Sequence, residues 1–128
     1  MLLLNRLLIL SIVSFSFCRD CIVGVEVELW KECYNITSTT KLNISGSGLK
    51  GEIPSEISYL SNLYSIDLSN NQLSGEIPSE LGKLNKLAFL YLQDNQLSGE
   101  IPFELGSLTN LTRLFLSSNQ LSGEIPPE

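Results

Sequence analysis

An α/β solenoid is the fold class this sequence predicts, on three observations. Glycine recurs at Gly75, Gly99 and Gly123, proline at Pro78, Pro102 and Pro126, and asparagine at Asn71, Asn95 and Asn119, each at a spacing of 24 residues. Leu63, Leu87 and Leu111 keep that spacing, and Gln-Leu-Ser-Gly-Glu-Ile-Pro stands three times unchanged, from Gln72, Gln96 and Gln120. Within each unit a short stretch alternates, as Ile66 and Leu68 do with polar neighbours between Ser65 and Ser69, the period of a strand with one buried face. A unit this short cannot bury its apolar side chains alone, so successive units must stack. The expected product is a right-handed superhelix with a parallel sheet on its concave face and short helical or 3-10 segments on its convex face.

The elements follow in chain order. Residues 1–18 have the layout of a secretory signal peptide, with Asn5 and Arg6 ahead of an apolar run from Leu7 to Phe17. Cleavage after Ser16 and after Cys18 both satisfy the small-x-small rule; the second cut leaves Cys21 and Cys33 as an even pair, expected to form a disulfide outside the cell. Residues 19–38 are read as an N-terminal cap. There Val23, Val25, Val27 and Leu29 alternate with Gly24, Glu26, Glu28 and Trp30, which predicts a half-buried strand over the open end of the solenoid. Residues 39–128 hold about four 24-residue units, the last incomplete. The first is worn, with Ser47 in the asparagine position and Thr39 in that of the first leucine.

In each unit the asparagine leaves the strand with an amide able to satisfy backbone groups of the turn. The glycine suits a turn of positive φ, and the proline ends a second short strand and starts the convex segment, where Leu81 with Leu84 and Leu105 with Leu108 point inward. The chain closes on Pro126, Pro127 and Glu128 in mid-unit, so the expectation is a fragment of a longer solenoid, with a truncated product as the alternative.

Each unit reads L-x-x-L-x-L-x-x-N-x-L-S-G-E-I-P-x-E-L-G-x-L-x-x, and this resembles the leucine-rich repeat in its plant-type form, with L-x-G-x-I-P after the asparagine, over about residues 39 to 128. The preceding stretch also resembles the caps of such proteins, except that Trp30 precedes Cys33 without the usual Gly-Val between them. The resemblance implies a secreted or extracellular, non-enzymatic recognition module that binds a protein, peptide or glycan through its concave face. It equally implies the ectodomain of a membrane receptor, of the receptor-like kinase or receptor-like protein kind. In that case the chain sits at the cell surface, attached through sequence beyond its C-terminus. A cell-wall structural protein, or an inhibitor like the polygalacturonase-inhibiting proteins, is the remaining alternative.

Composition sets limits on the chemistry. The 128 residues are 43% hydrophobic, enough to build a core, and include no histidine, which removes the commonest general base and metal ligand. No catalytic residue, metal site or cofactor is expected. A net charge of −6 opposes the footprint needed to bind nucleic acid. The repeated acids Glu52, Glu76, Glu100 and Glu124, with Glu56, Glu80, Glu104 and Glu128, are read as a solvated acidic face, since residues copied with the frame owe their identity to duplication.

Positions that vary within the fixed frame carry more information. On the exposed face of the sheet one column runs Lys41, Ser65, Phe89, Arg113, a second Asn43, Asp67, Tyr91, Phe115, and a third Ser45, Ser69, Gln93, Ser117. Asp67, Phe89, Tyr91, Gln93, Arg113 and Phe115 are therefore the expected ligand-binding residues, because an aromatic cluster beside an arginine is the composition of a binding hot spot. Sequons at Asn35, Asn43 and Asn110 permit glycosylation, and a glycan on Asn43 would occupy the amino end of this face.

Overall fold

The computed structural model describes residues 20–127. The expected signal peptide, its alternative cleavage sites and Cys18 lie outside the described residues, as does Glu128.

The chain opens with an antiparallel hairpin, β1 (Glu26–Leu29) and β2 (Glu32–Asn35), in register from Glu26 opposite Asn35 to Leu29 opposite Glu32. The strand expected from the Val23–Leu29 alternation is therefore shorter than its pattern. A turn closes from Ile22 to Val25 and Glu26 around Gly24 at φ 77°, leaving Val23 97% exposed, while Val27 and Leu29 face the core. Trp30 and Lys31 both take positive φ, the two central residues of a tight hairpin turn that normally favours asparagine and glycine. The ring of Trp30 packs against the core in return. Cys21 and Cys33 are disulfide-bonded with their Cα atoms 5.5 Å apart, tying the segment before β1 to β2. Burial, with Glu32 adding its charge, raises the Tyr34 hydroxyl above its ordinary pKa.

The coils follow. β3 (Lys41–Asn43), β5 (Ser65–Asp67), β7 (Phe89–Tyr91) and β9 (Arg113–Phe115) form one parallel sheet in sequential order, the concave sheet. β4 (Lys50–Gly51), β6 (Gln72–Gly75), β8 (Gln96–Glu100) and β10 (Gln120–Ser122) form a second parallel sheet beside it. After each proline a five-residue 3-10 segment completes the coil: η1 (Ser55–Tyr59), η2 (Ser79–Lys83) and η3 (Phe103–Ser107). Each is only five residues long and closes with i to i+3 bonds, such as Leu81 N to Pro78 O.

Register stacks like on like: Leu42, Ile66, Leu90 and Leu114 share one row of the concave sheet. The side chains of Leu42, Ile66 and Leu90 join Leu63, Leu68, Leu73, Leu81, Leu84, Leu87 and Leu92, the last seven at most 1% exposed, in a single core, whereas Leu114 of β9 stays 37% exposed. The asparagines seal one side of it. Asn71 donates from Nδ2 to the carbonyls of Ile44, Leu68 and Ser69 and accepts at Oδ1 from the amides of Ser47 and Leu49. Asn95 and Asn119 repeat the arrangement one and two coils later. Each amide thereby satisfies backbone groups on its own coil and the one before, which is why the position tolerates no ordinary apolar residue.

Glycine sets the coil spacing in two places. A Cβ on Gly75, itself at φ 77°, would lie 2.8 Å from Cγ of Glu52, so the bare backbone is the surface on which that stem rests. A Cβ on Gly82 would lie 2.6 Å from the carbonyl oxygen of Glu104, pushing η2 and η3 apart. Gly82→Ala is expected to cost about 2–3 kcal/mol, read as a lower urea midpoint. Gly106→Ala serves as control and costs less, since its Cβ would meet only Pro127 O at 3.1 Å.

Candidate functional site

Because the strands of the concave sheet are three residues long and centred on a leucine or isoleucine, buried in β3, β5 and β7, the residues on either side of it face out. Register then places Lys41, Ser65, Phe89 and Arg113 in one outer column and Asn43, Asp67, Tyr91 and Phe115 in the other. These are the columns expected from the repeat.

The aromatic side chains come together. The Tyr91 and Phe115 rings stack with centroids 5.3 Å apart and planes 18° from parallel, and Phe89 lies 6.5 Å from Tyr91. Tyr64, which the alternating pattern does not single out, meets Phe89 edge-on at 6.4 Å. A continuous strip of four rings therefore crosses three coils. A cation sits over a ring at each end of the first column, Lys41 Nζ 5.2 Å from the Tyr64 centroid and the Arg113 guanidinium 5.5 Å from that of Phe89. Lys41 is the second residue that sequence reasoning left out of the site.

Two expected members contribute differently. Asp67 Oδ1 accepts from the Ser69 hydroxyl at 2.6 Å and from the Ser69 amide at 3.1 Å, so half of its carboxylate closes the turn after β5. Ser69 is bridged in turn to Ser45, 2.9 Å between hydroxyls. Gln93 takes the next place in that serine column; the residue is half-buried and its carboxamide oxygen is buried. Phe89, Tyr91, Arg113 and Phe115 form the patch proper, with Arg113 and Phe115 exposed and Phe89 and Tyr91 half-buried.

The sequons are spread out. Asn43 is exposed on the concave sheet, its Oδ1 accepting from the Ser45 amide. Asn35 Oδ1 accepts from Thr37 and Ser38 at the end of the cap. Asn110 Nδ2 donates to Asn85 O at 2.7 Å, and the Thr112 hydroxyl of the same sequon donates to Ala88 O. The glutamate columns line a shallow groove beside the second sheet, around Phe103. Among the described residues no group of three or more His, Cys, Asp or Glu side chains is placed to hold a metal ion. Also among the described residues, no helix is long and apolar enough to cross a membrane.

A parallel-stranded coil of 24 residues, closed by an asparagine ladder and a 3-10 segment, defines the class: the chain belongs to the leucine-rich repeat family, in its plant-type form. The family model described as leucine rich repeat matches residues 37–97, and the one described as leucine rich repeats (2 copies) matches residues 85–127.

Among solved structures the chain is similar to the BIR2 ectodomain from Arabidopsis thaliana, 46% identical with a TM-score of 0.69 over 70% of this chain and 47% of that one. It is 33% identical to a chain of the BIR3–SERK2 complex from the same plant, with a TM-score of 0.64 over 88% of this chain and 70% of that one. The plant peptide hormone receptor RGFR1, in complex with RGF2, is 49% identical, with a TM-score of 0.67 over 68% of this chain and 14% of that one. The chain thus spans about half the length of the BIR2 ectodomain and a small part of RGFR1. No curated protein matches it.

Proposed function

We propose that the chain is an extracellular recognition module that binds a peptide or protein segment through its concave face without catalysing a reaction. The observation that carries this is the strip of Tyr64, Phe89, Tyr91 and Phe115 with cations held over two of its rings. Duplication keeps the frame residues alike, whereas these outward positions differ from coil to coil, and half-buried and exposed aromatics beside arginine supply contact area at small entropic cost. The Cys21–Cys33 disulfide suits an oxidising compartment, and the related BIR2 structure is itself an ectodomain. A glycan on Asn43 would sit beside Asp67 in the second column, on the other side of its strand's centre from Lys41.

Alanine at Tyr91 and Phe115 tests the reading: a partner that binds the unaltered chain is lost by the double variant, whereas unchanged affinity overturns the concave-face proposal.

A second reading makes the chain part of a receptor ectodomain. It is supported by the similarity to BIR2 and to the peptide hormone receptor RGFR1. Sequencing the transcript beyond the Glu128 codon distinguishes the two, because a receptor requires further coils and a span of about 20 apolar residues.

A further inference from the structure

We infer that the ligand of the concave face is an extended acidic peptide with two carboxylate side chains four residues apart, one meeting Lys41 and the other Arg113. The inference rests on the peptide-binding reading above and adds the chemistry and spacing of the ligand. Charge is distributed unevenly over the molecule. The chain carries a net −6, with Glu52, Glu56, Glu76, Glu80, Glu100, Glu104 and Glu124 all along the groove beside the second sheet or in the 3-10 segments. The four concave strands hold only Lys41, Asp67 and Arg113 as charged residues, and Ser69 engages one oxygen of Asp67. The strands that carry the aromatic strip thus hold a net charge of +1 in a protein of net −6, with a cation at each end of one column, which favours a negatively charged ligand there.

Geometry fixes the spacing. Lys41 and Arg113 occupy the two ends of one column, three strand steps apart. At the interstrand spacing of parallel sheets that is about 14 Å. Neither makes an ion pair among the described residues; each leans over a ring of the adjacent coil, at 5.2 and 5.5 Å, with donors left for a carboxylate, and it is the two backbone positions that stand about 14 Å apart. An extended peptide lying along the column advances about 3.4 Å per residue, so residues i and i+4 span the same about 14 Å. Alternation puts i, i+2 and i+4 on one side. The side chain at i+2 then falls over Ser65 and Phe89, beside Tyr64, and should be apolar. An acidic polysaccharide fits less well, because sugar rings need open aromatic faces. Here cations lie over the faces of Tyr64 and Phe89, and Tyr91 and Phe115 cover one another.

The test is selection of a random nonapeptide library by ribosome display against the secreted chain, repeated with Lys41→Ala/Arg113→Ala and with Lys41→Glu/Arg113→Glu. The expected result is enrichment of Asp or Glu at i and i+4 with an apolar residue at i+2, and about thirtyfold weaker binding when both acids become amides. The alanine pair should lose the acidic pattern, and the charge-reversed pair should select Lys or Arg at the same two positions. Enriched peptides lacking the acid pair, or holding it at another spacing, overturn this inference and leave the peptide-binding reading standing. No enrichment of any sequence, with sodium polygalacturonate bound in its place, overturns both.

Discussion

Replacing Asn95 by leucine is expected to lower the unfolding free energy by about 3 kcal/mol, although it puts a larger apolar side chain beside a leucine core. Asn95 is 8% exposed and acts across two coils. Its Oδ1 accepts from the Leu73 amide at 3.0 Å, and its Nδ2 donates to Leu68 O at 2.9 Å and Leu92 O at 3.1 Å. Leucine leaves one buried amide without an acceptor and removes a donor from two carbonyls. Leu68 O keeps Asn71 Nδ2 and Leu92 O keeps Asn119 Nδ2, so the one orphan is the Leu73 amide, at about 1–3 kcal/mol, and the larger side chain adds a packing cost of similar size. In a solenoid, where each coil is stabilised only by its neighbours, the loss falls on the junction between the second and third coils. Asn119→Leu should cost less than half as much, because Asn119 stands partly open to solvent that can replace its bonds. Urea unfolding of both variants at pH 7 checks this. Equal midpoints for the two, or a loss under about 1 kcal/mol at Asn95, contradict the ladder's role.

The second large effect is on binding. Tyr91→Ala/Phe115→Ala is expected to weaken binding of a concave-face peptide by roughly 150-fold, equivalent to about 3 kcal/mol, with a urea midpoint close to that of the unaltered chain. The two rings stack 5.3 Å apart, so each holds the other in place. Removing both takes away the contact area and the constraint together, and the loss should exceed what either single substitution suggests. Stability is spared because both side chains lie outside the core, Phe115 being 48% exposed. Titration of a labelled peptide against the single and double variants gives the coupling directly.

The repeat frame is largely legible in the sequence, since a frame position meets a similar environment once per coil and mostly keeps its residue type, Ser47 and Thr39 of the worn first unit departing from it. Inward positions such as Ile66 and Leu90, the asparagine ladder at Asn71, Asn95 and Asn119, and the register that brings Phe89 beside Arg113 all follow from the period alone. The cap is less legible. Alternation from Val23 to Leu29 cannot reveal that Gly24 turns the chain, or that Trp30 and Lys31 accept positive φ to return β2 against β1.

Within the site, Tyr64 is hidden from a reading of the strands because it precedes its strand and stands in line with Thr40, Ala88 and Thr112, which carry no aromatic signal. Its contact with Phe89 runs from one coil to the next. Gln93 matches the outward period, yet its carboxamide oxygen is buried, which residue spacing does not encode.

Photo-crosslinking puts the central proposal, recognition by the concave sheet, to its most direct test. Benzoylphenylalanine is placed at Phe89 in the strip, or at Phe103, a 74% exposed phenylalanine beside the glutamate columns, and each protein is irradiated with a selected peptide. Cross-linking from position 89 and none from position 103 is the predicted result. Cross-linking from position 103 alone contradicts it and moves the site to the acidic groove.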